Sequence, residues 1–192
     1  MCGRYYVDDD TAREIQRLIR DVEKKLQVSA GDIHPTEQAP VLVSSAGKLQ
    51  CEWKKWGFPG VSAGPLVINA RSESALEKKM FRDSVRQRRI VIPAAGFYEW
   101  NQKKEKNTFT QKGRPVLYMA GIYNRYENED RFVVLTTAAN ESMSPVHDRM
   151  PLILEEDEIQ SWLVEGEQTE LILKKVPGML ERRTEYEQMS LF

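Results

Sequence analysis

The chain has 192 residues and a formal net charge of −1, so it is long enough for one domain with a substantial core and excludes a global positive field that would attract nucleic acid. Its two cysteines, Cys2 and Cys51, exclude a disulfide framework and favour a reducing, cytoplasmic location. The sequence contains no metal-ligand spacing, cofactor motif or membrane-length apolar run, and we expect no metal, no cofactor and no membrane contact.

Hydrophobic periodicity and turn residues predict many short strands and a few helices. In chain order we predict a helix at 11–27, a loop at 31–40, a hairpin at 41–44 and 49–56, a loop at 57–65, a strand at 66–69, a helix at 73–85, strands at 90–92 and 97–100, a polar hairpin or loop at 101–114, strands at 116–123 and 131–137, a loop at 139–150, an apolar segment at 151–154, a helix at 155–164 and a strand at 171–176.

This mixture is typical of an α+β domain built around a curved, mostly antiparallel sheet, which can close as a barrel. We place a single domain at residues 2–180 and a C-terminal tail at 181–192. Within the predicted hairpin, Cys51 fits the pattern of a small core residue.

Cys2 is the residue with the most distinctive chemistry. It follows Met1 and precedes Gly3, and a small residue at this position permits removal of the initiator methionine. Cys2 would then carry an α-amine and a thiol on adjacent carbons. Such an aminothiol condenses with an aldehyde to an imine, which the thiol closes into a thiazolidine ring. The second step is intramolecular and can exploit effective molarities of ~10⁵–10⁸ M.

Several unusual strings accompany Cys2 and appear at the ends of predicted strands, where catalytic groups often lie. They are Met1-Cys2-Gly3-Arg4, Trp56-Gly57, Asn69-Ala70-Arg71-Ser72-Glu73, Pro93-Ala94-Ala95-Gly96-Phe97-Tyr98-Glu99-Trp100, Ala120-Gly121-Ile122 and His147-Asp148-Arg149-Met150-Pro151. Together they resemble the SOS response-associated peptidase (SRAP) family, from residue 2 to about residue 163. The segment after residue 165 matches the family poorly.

The resemblance implies a protein of DNA damage repair and the SOS response. It implies that Cys2 bonds covalently to the aldehyde of an abasic site in single-stranded DNA, with Asn69, Glu99 and His147 as supporting catalytic residues. Desolvation of Glu99 between two aromatic residues would raise its pKa and suit it to general acid catalysis. His147 could move protons or contact a phosphate, and Asn69 could orient the amine or the sugar.

The same strings supply the candidate contacts to DNA. Arginine forks match phosphate oxygens, aromatic rings can stack on bases, and the Pro-Thr loop resembles the family's loop beside the DNA groove. The predicted DNA-binding residues are Arg4, Pro35, Thr36, Trp56, Gly57, Phe58, Arg71, Arg82, Arg149 and Met150. Core packing is the competing interpretation for Trp56, and a solvated helix face is the competing interpretation for Arg82.

Two other functions fit the sequence. Cys2 could be the nucleophile of a thiol peptidase, or at least of the hydrolysis that releases Met1, and the protein could also be a non-covalent binder of single-stranded DNA. A lyase side reaction from the imine is a further consequence of the first function. We expect a monomer that associates with the nucleoid on DNA. The tail residues Gln188, Leu191 and Phe192 resemble the short peptides that dock on a sliding clamp.

Overall fold

The computed structural model describes residues 2–19, 29–164 and 166–184. Within these residues the helices are α1 (Asp9–Ile19), α2 (Arg82–Gln87), α3 (Glu158–Val164) and α4 (Gly166–Leu173). The strands are β1 (Tyr5–Val7), β2 (Gly31–Ile33), β3 (Gln38–Ser45), β4 (Lys48–Trp56), β5 (Asn69–Arg71), β6 (Arg89–Ala94), β7 (Gly96–Trp100), β8 (Lys106–Gln111), β9 (Leu117–Tyr126), β10 (Glu129–Ala138), β11 (Arg149–Pro151), β12 (Ile153–Leu154) and β13 (Leu180–Thr184).

Five of these strands close into a barrel in the order β3, β4, β10, β9, β6 and back to β3. All neighbours are antiparallel except β4 and β10, which run parallel. Closure leaves these strands without an open edge. The apolar run Ile90–Ile92 of β6 and the ring of Trp56 at the end of β4 are fully buried. The expected α+β fold around a curved, mostly antiparallel sheet is confirmed, and the sheet does close.

A second sheet contains the strands β13, β8, β7, β1 and β2, all antiparallel to their neighbours. The chain passes directly from the barrel into this sheet because only Ala95 separates β6 from β7. Ala95 donates its backbone N–H to the carbonyl of Tyr6 at 2.9 Å, which attaches β1 at this junction. The N-terminal residues are therefore held where the two sheets meet.

Local chemistry explains where helix α1 begins. Asp8 precedes the helix, and its Oδ1 accepts the backbone N–H of Thr11 at 2.9 Å, while the Thr11 hydroxyl accepts the N–H of Asp8 at 3.2 Å. This reciprocal pair is a capping box, and the helix begins two residues before the predicted residue 11. Further along the helix, Glu14 accepts the hydroxyl of Tyr118 at 2.7 Å.

Three predicted elements are wrong. The strand expected at 171–176 is occupied by α4 as far as Leu173, and a short apolar run does not distinguish a helix from a strand. The helix expected at 73–85 is divided into a 3-10 turn at Ser72–Ser74 and α2, and the turns between them bury Ala75 and Phe81 without forming a continuous helix. The loop expected at 31–40 contains β2 and the start of β3.

Cys51 is half-buried rather than a core residue, because the opposite face of β4, with Lys54 and Trp56, points inward. Strand β13 spans the residue at which the tail was expected to begin. The helix beyond residue 19 and the clamp-like residues Gln188, Leu191 and Phe192 lie outside the described residues. Across the described ranges, none of the helices combines the length and the apolar character needed to cross a membrane. The same ranges hold no group of three or more metal-ligating side chains.

Candidate active site around Cys2

Cys2 lies just before β1 and is only 1% exposed. Its thiol donates to the carbonyl oxygen of Arg4 at 3.7 Å. Burial, reinforced by the negative charge of Glu99, raises the pKa of the Cys2 thiol to about 12. The sulfur is therefore held as a neutral thiol at physiological pH, in a pocket that disfavours the thiolate.

Asn69 forms a hydrogen bond with Cys2. It is the first residue of β5, which pairs in parallel with β10. Its Nδ2 donates to the backbone carbonyl of Cys2 at 3.0 Å, while its Oδ1 is buried and accepts no hydrogen bond from the described residues. The segment is fixed by the indole N–H of Trp56, which donates to the carbonyl of Ile68 at 2.9 Å. Asn69 thus fixes the Cys2 backbone and keeps an acceptor available.

Glu99 reaches the same pocket from β7. Alternation along this strand buries Phe97 and Glu99, which is 6% exposed, and leaves Tyr98 and Trp100 half-exposed. The register with the N-terminal segment is fixed by the N–H of Tyr98, which donates to the carbonyl of Arg4 at 3.0 Å. The effect of Glu99 on the Cys2 pKa reflects this arrangement. The structure therefore brings Cys2, Asn69 and Glu99 together.

His147 lies in the turn between β10 and β11. Its Nδ1 accepts the backbone N–H of Arg149 at 3.0 Å and is also 2.8 Å from Oδ1 of Asp148. The two contacts require different placements of the proton on Nδ1. A ring without a proton on Nδ1 accepts from Arg149, whereas a ring with a proton on Nδ1 donates to Asp148.

Strand β10 links His147 to Asn69. Its Val134 pairs with Asn69 of β5, and its Ala138 pairs with Arg149 of β11. The guanidinium of Arg149 also donates to the carbonyl of Thr136 at 2.7 Å. Strand β5, which begins with Asn69, and strand β11, which begins two residues after His147, are therefore attached to the same short stretch of β10.

The predicted DNA contacts differ widely in accessibility. Thr36, Arg71 and Arg82 are exposed, and Arg4 and Pro35 are half-exposed. Trp56, Phe58 and Met150 are at most 1% exposed, so their side chains present no surface on which a base could stack. The expected stacking by Trp56 and Phe58 is thus corrected: they pack in the core.

Trp56 and Phe58 are buried because their rings point into the core. Trp56 ends β4 on its inward face and stacks on Phe132 at 6.1 Å between ring centroids, and Phe58 packs on Tyr126 at 5.1 Å. Gly57 is buried between them with a φ of +110°, and a Cβ there would lie 2.6 Å from Leu66 Cδ2. Glycine is required at this position by both the backbone and the space.

The structure has a partly exposed aromatic face, formed by Tyr6, Tyr98 and Trp100, that the sequence patterns did not predict. Tyr6 stacks on Tyr98 at 5.2 Å between ring centroids, and Lys106 Nζ is 3.8 Å from the Tyr98 ring. The guanidinium of Arg4 lies 5.2 Å from the ring of Trp100. Strand alternation was the available signal, because a buried Glu99 implies that Tyr98 and Trp100 point outward.

The chain is similar to known proteins along most of its length. The family model described as SOS response associated peptidase (SRAP) matches residues 1–190. The chain is 28% identical to abasic site processing protein YoaM of Bacillus subtilis over 180 residues, which cover 85% of this chain and 79% of YoaM. It is 28% identical to abasic site processing protein YedK of Escherichia coli over 177 residues, with the same coverage.

The fold is similar to that of solved structures. A protein from Bacteroides thetaiotaomicron superposes with a TM-score of 0.80 at 20% identity, and the match covers 95% of this chain and 91% of that one.

Proposed function

Because this chain belongs to the SOS response associated peptidase family, we propose that it processes abasic sites in DNA by capturing their ring-opened aldehyde at Cys2. Relatives that share 28% of their residues with it are named abasic site processing proteins. The observation that carries the proposal is the position of Cys2: its carbonyl is held by Asn69, and its thiol is buried beside the charge of Glu99.

The reaction begins, in this proposal, with removal of Met1, which leaves Cys2 with a free α-amine. The raised pKa of the thiol keeps sulfur protonated near neutral pH, whereas an α-amine with a pKa near ~8 is partly unprotonated. Nitrogen therefore makes the first bond. It attacks the aldehyde carbon, and loss of one water molecule gives the imine.

Ring closure follows within the same residue. The Cys2 sulfur attacks the imine carbon, a C–S bond forms, and the thiol proton passes to the Glu99 carboxylate. The imine nitrogen gains a proton from His147 and becomes the ring amine, and both side chains then re-equilibrate with water. No cofactor is required, because the substrate itself supplies the electrophilic carbon and the reaction involves no oxidation or reduction.

Asn69 has a separate role. Its Nδ2 donates a hydrogen bond to the Cys2 carbonyl, so the buried Oδ1 is the atom that can accept a hydrogen bond from the α-amine or from a sugar hydroxyl. A buried acceptor gains most when the incoming group donates to it. Asn69 would therefore orient the nucleophile toward the aldehyde rather than move protons.

Single-stranded DNA would be held mainly through its phosphates. Arg71 and Arg82 are exposed, and Arg4 is half-exposed beside Asp32 at 3.6 Å. Pro35 and Thr36 form an accessible loop, in which the Thr36 N–H donates to the carbonyl of Trp56 at 2.9 Å. Such contacts predict little sequence preference and an affinity that falls with salt before the covalent bond forms.

The raised pKa of the Cys2 thiol supports covalent capture over peptidase activity. A thiol peptidase needs a thiolate nucleophile, and the pocket disfavours that form of Cys2. A non-covalent DNA binder would not depend on Cys2 at all. We propose covalent capture, with removal of Met1 as a prior processing step.

Intact-mass measurement before and after exposure to a single-stranded oligonucleotide with one abasic site tests the proposal. We expect a protein that lacks Met1, followed by a heat-stable adduct whose mass is the sum of protein and oligonucleotide less one water. Cys2→Ala and a protein with a chemically blocked amino end should give no such adduct. Durable capture by the blocked protein would overturn the proposal.

Cys2→Ser with a free amine isolates the role of sulfur. Serine can form the imine but closes the ring poorly, so we expect a weaker adduct and more strand cleavage by β-elimination. An adduct of equal stability in this variant would show that the thiazolidine is not formed.

A further inference from the structure

Tyr5 carries a polar group that nothing in the described structure uses. Its side chain is completely buried in β1, and its Oη is inaccessible to solvent and has no hydrogen-bond partner among the described residues. A buried hydroxyl without a partner costs about 1–3 kcal/mol, and most such groups in proteins are paired. The Tyr5 hydroxyl is therefore an unused hydrogen-bonding group inside the domain, which an incoming molecule could satisfy.

The position of Tyr5 connects it with the Cys2 pocket. Its ring is 5.2 Å from the ring of Trp56, and the indole of Trp56 donates to the carbonyl of Ile68. The next residue, Asn69, donates to the carbonyl of Cys2. Tyr5 is therefore connected with Cys2 through Trp56 and the Ile68–Asn69 segment, and Cys2 is near enough to contribute to the raised pKa of Tyr5.

Among these connected residues, the hydroxyl of Tyr5 and Oδ1 of Asn69 are both buried and have no hydrogen-bond partner among the described residues. One can donate and both can accept, which is the pattern that a hydroxylated sugar satisfies. An apolar ligand would leave both atoms unpaired.

We propose that the hydroxyl of Tyr5 donates a hydrogen bond to an oxygen of the deoxyribose captured at Cys2, as a substrate-binding residue of the site. The inference rests on the proposed function and extends it by one residue. Burial is the main cause of a Tyr5 pKa well above the ordinary tyrosine value, and the neighbouring Cys2 and Glu37 add to the increase. The phenol is neutral at physiological pH, so it donates a hydrogen bond and does not act as a base.

The test uses Tyr5→Phe, which keeps the ring and removes one oxygen. Tyr118→Phe is the matched control, because Tyr118 is also buried but donates to Glu14 at 2.7 Å, far along the chain from Cys2. For each protein we would measure the rate of adduct formation with an abasic single-stranded oligonucleotide and the midpoint of thermal unfolding.

We expect Tyr5→Phe to lower the rate by about threefold to tenfold, the size of one lost hydrogen bond, with an unfolding midpoint at or above that of the wild type. Tyr118→Phe should show the opposite combination, a lower midpoint and an unchanged rate.

The other outcomes overturn the inference. A Tyr5→Phe rate within twofold of the wild type would show that the hydroxyl does not contact substrate. A fall in its midpoint like that of Tyr118→Phe, or failure to fold, would show that the hydroxyl has a partner inside the protein. If the wild-type protein forms no adduct, the proposed function itself is wrong and the inference fails with it.

Discussion

The side-chain amide of Asn69 and the backbone carbonyl of Cys2 are joined by a hydrogen bond of 3.0 Å across 67 positions of sequence. The bond connects the N-terminal segment to strand β5, which pairs with β10. The Cys2 carbonyl is attached to the Cα that carries the amino nitrogen and, through Cβ, the sulfur, so its direction affects the direction of both groups. In the proposed reaction, Asn69 would therefore orient the nucleophile through the backbone.

Asn69→Ala should slow adduct formation about tenfold at saturating DNA, because the Cys2 backbone loses its donor. Asn107→Ala is a matched control. Asn107 is a buried asparagine whose Nδ2 donates to the carbonyl of Glu105 at 3.0 Å, on β8. Both variants should lose similar stability, and only Asn69→Ala should lose rate. Equal rates in the two variants would contradict an orienting role.

Glu99→Gln should change two reactions at Cys2 in opposite directions. Removing the negative charge lowers the pKa of the thiol, so alkylation of Cys2 by iodoacetamide should begin at lower pH than in the wild type. Removing the carboxylate also removes the acceptor of the thiol proton, so adduct formation should slow by about 10²-fold or more.

The control is Glu105→Gln, which changes another carboxylate of the same hairpin, bonded to Asn101 at 2.6 Å. It should leave both reactions unchanged. If Glu99→Gln slowed alkylation and adduct formation alike, Glu99 would be a structural residue of the pocket and not its base.

The sequence predicted strands β6 and β7 well because their signals are local. The apolar run at Ile90–Ile92 and the alternation in Phe97–Trp100 are recognisable without tertiary information, and both strands formed there. Strand β8 is different: it begins in a Lys-rich stretch, and its Asn107 is buried only because β7 and β13 lie on either side. Pairing with distant strands determined that element.

The candidate site shows the same contrast between features that are local in sequence and features that depend on the tertiary fold. Residue types and strings identified Cys2, Asn69, Glu99 and His147, but no pattern in the sequence shows how deeply a residue is buried. Trp56 and Phe58 are large aromatic residues beside a glycine, a pattern that suits a stacking surface as well as a core. Tyr5 and Tyr6 are adjacent and chemically identical, yet one is fully buried and the other half-exposed, because successive side chains of β1 point to opposite faces.

Arg71 should contribute to DNA binding through charge alone, because it is exposed at the end of β5, two residues from Asn69. Non-covalent affinity is best measured in a Cys2→Ala background. There, Arg71→Gln should reduce the slope of log affinity against log salt by about 0.7, the value for one phosphate of single-stranded DNA. Arg13→Gln removes an exposed charge on α1 and should not change the slope. A slope unaffected by Arg71→Gln would exclude a phosphate contact.

The ion pair between Glu73 and Arg149 predicts a stability that depends on pH. Both oxygens of Glu73 accept from the guanidinium of Arg149 at 2.8 Å, and this contact lowers the pKa of Glu73 below its ordinary value of 4.5. A carboxyl whose pKa is lower in the folded state stabilises the fold above the unfolded pKa and loses that effect as the pH falls through the folded pKa. The pair should thus contribute at neutral pH and vanish in acid.

Glu73→Gln should therefore reduce the free energy of unfolding at pH 7 by about 1 kcal/mol, a value that allows for the half-exposed Glu73 carboxylate. Below the folded-state pKa of Glu73, the wild type and the variant should unfold with the same free energy, because protonated glutamate and glutamine are then both neutral. Chemical denaturation at a series of pH values measures the difference. Arg149 also donates its backbone N–H to His147. A difference that persisted in acid would show that Glu73 acts by packing, and it would exclude a charge link between the 3-10 turn Ser72–Ser74 and the turn that carries His147.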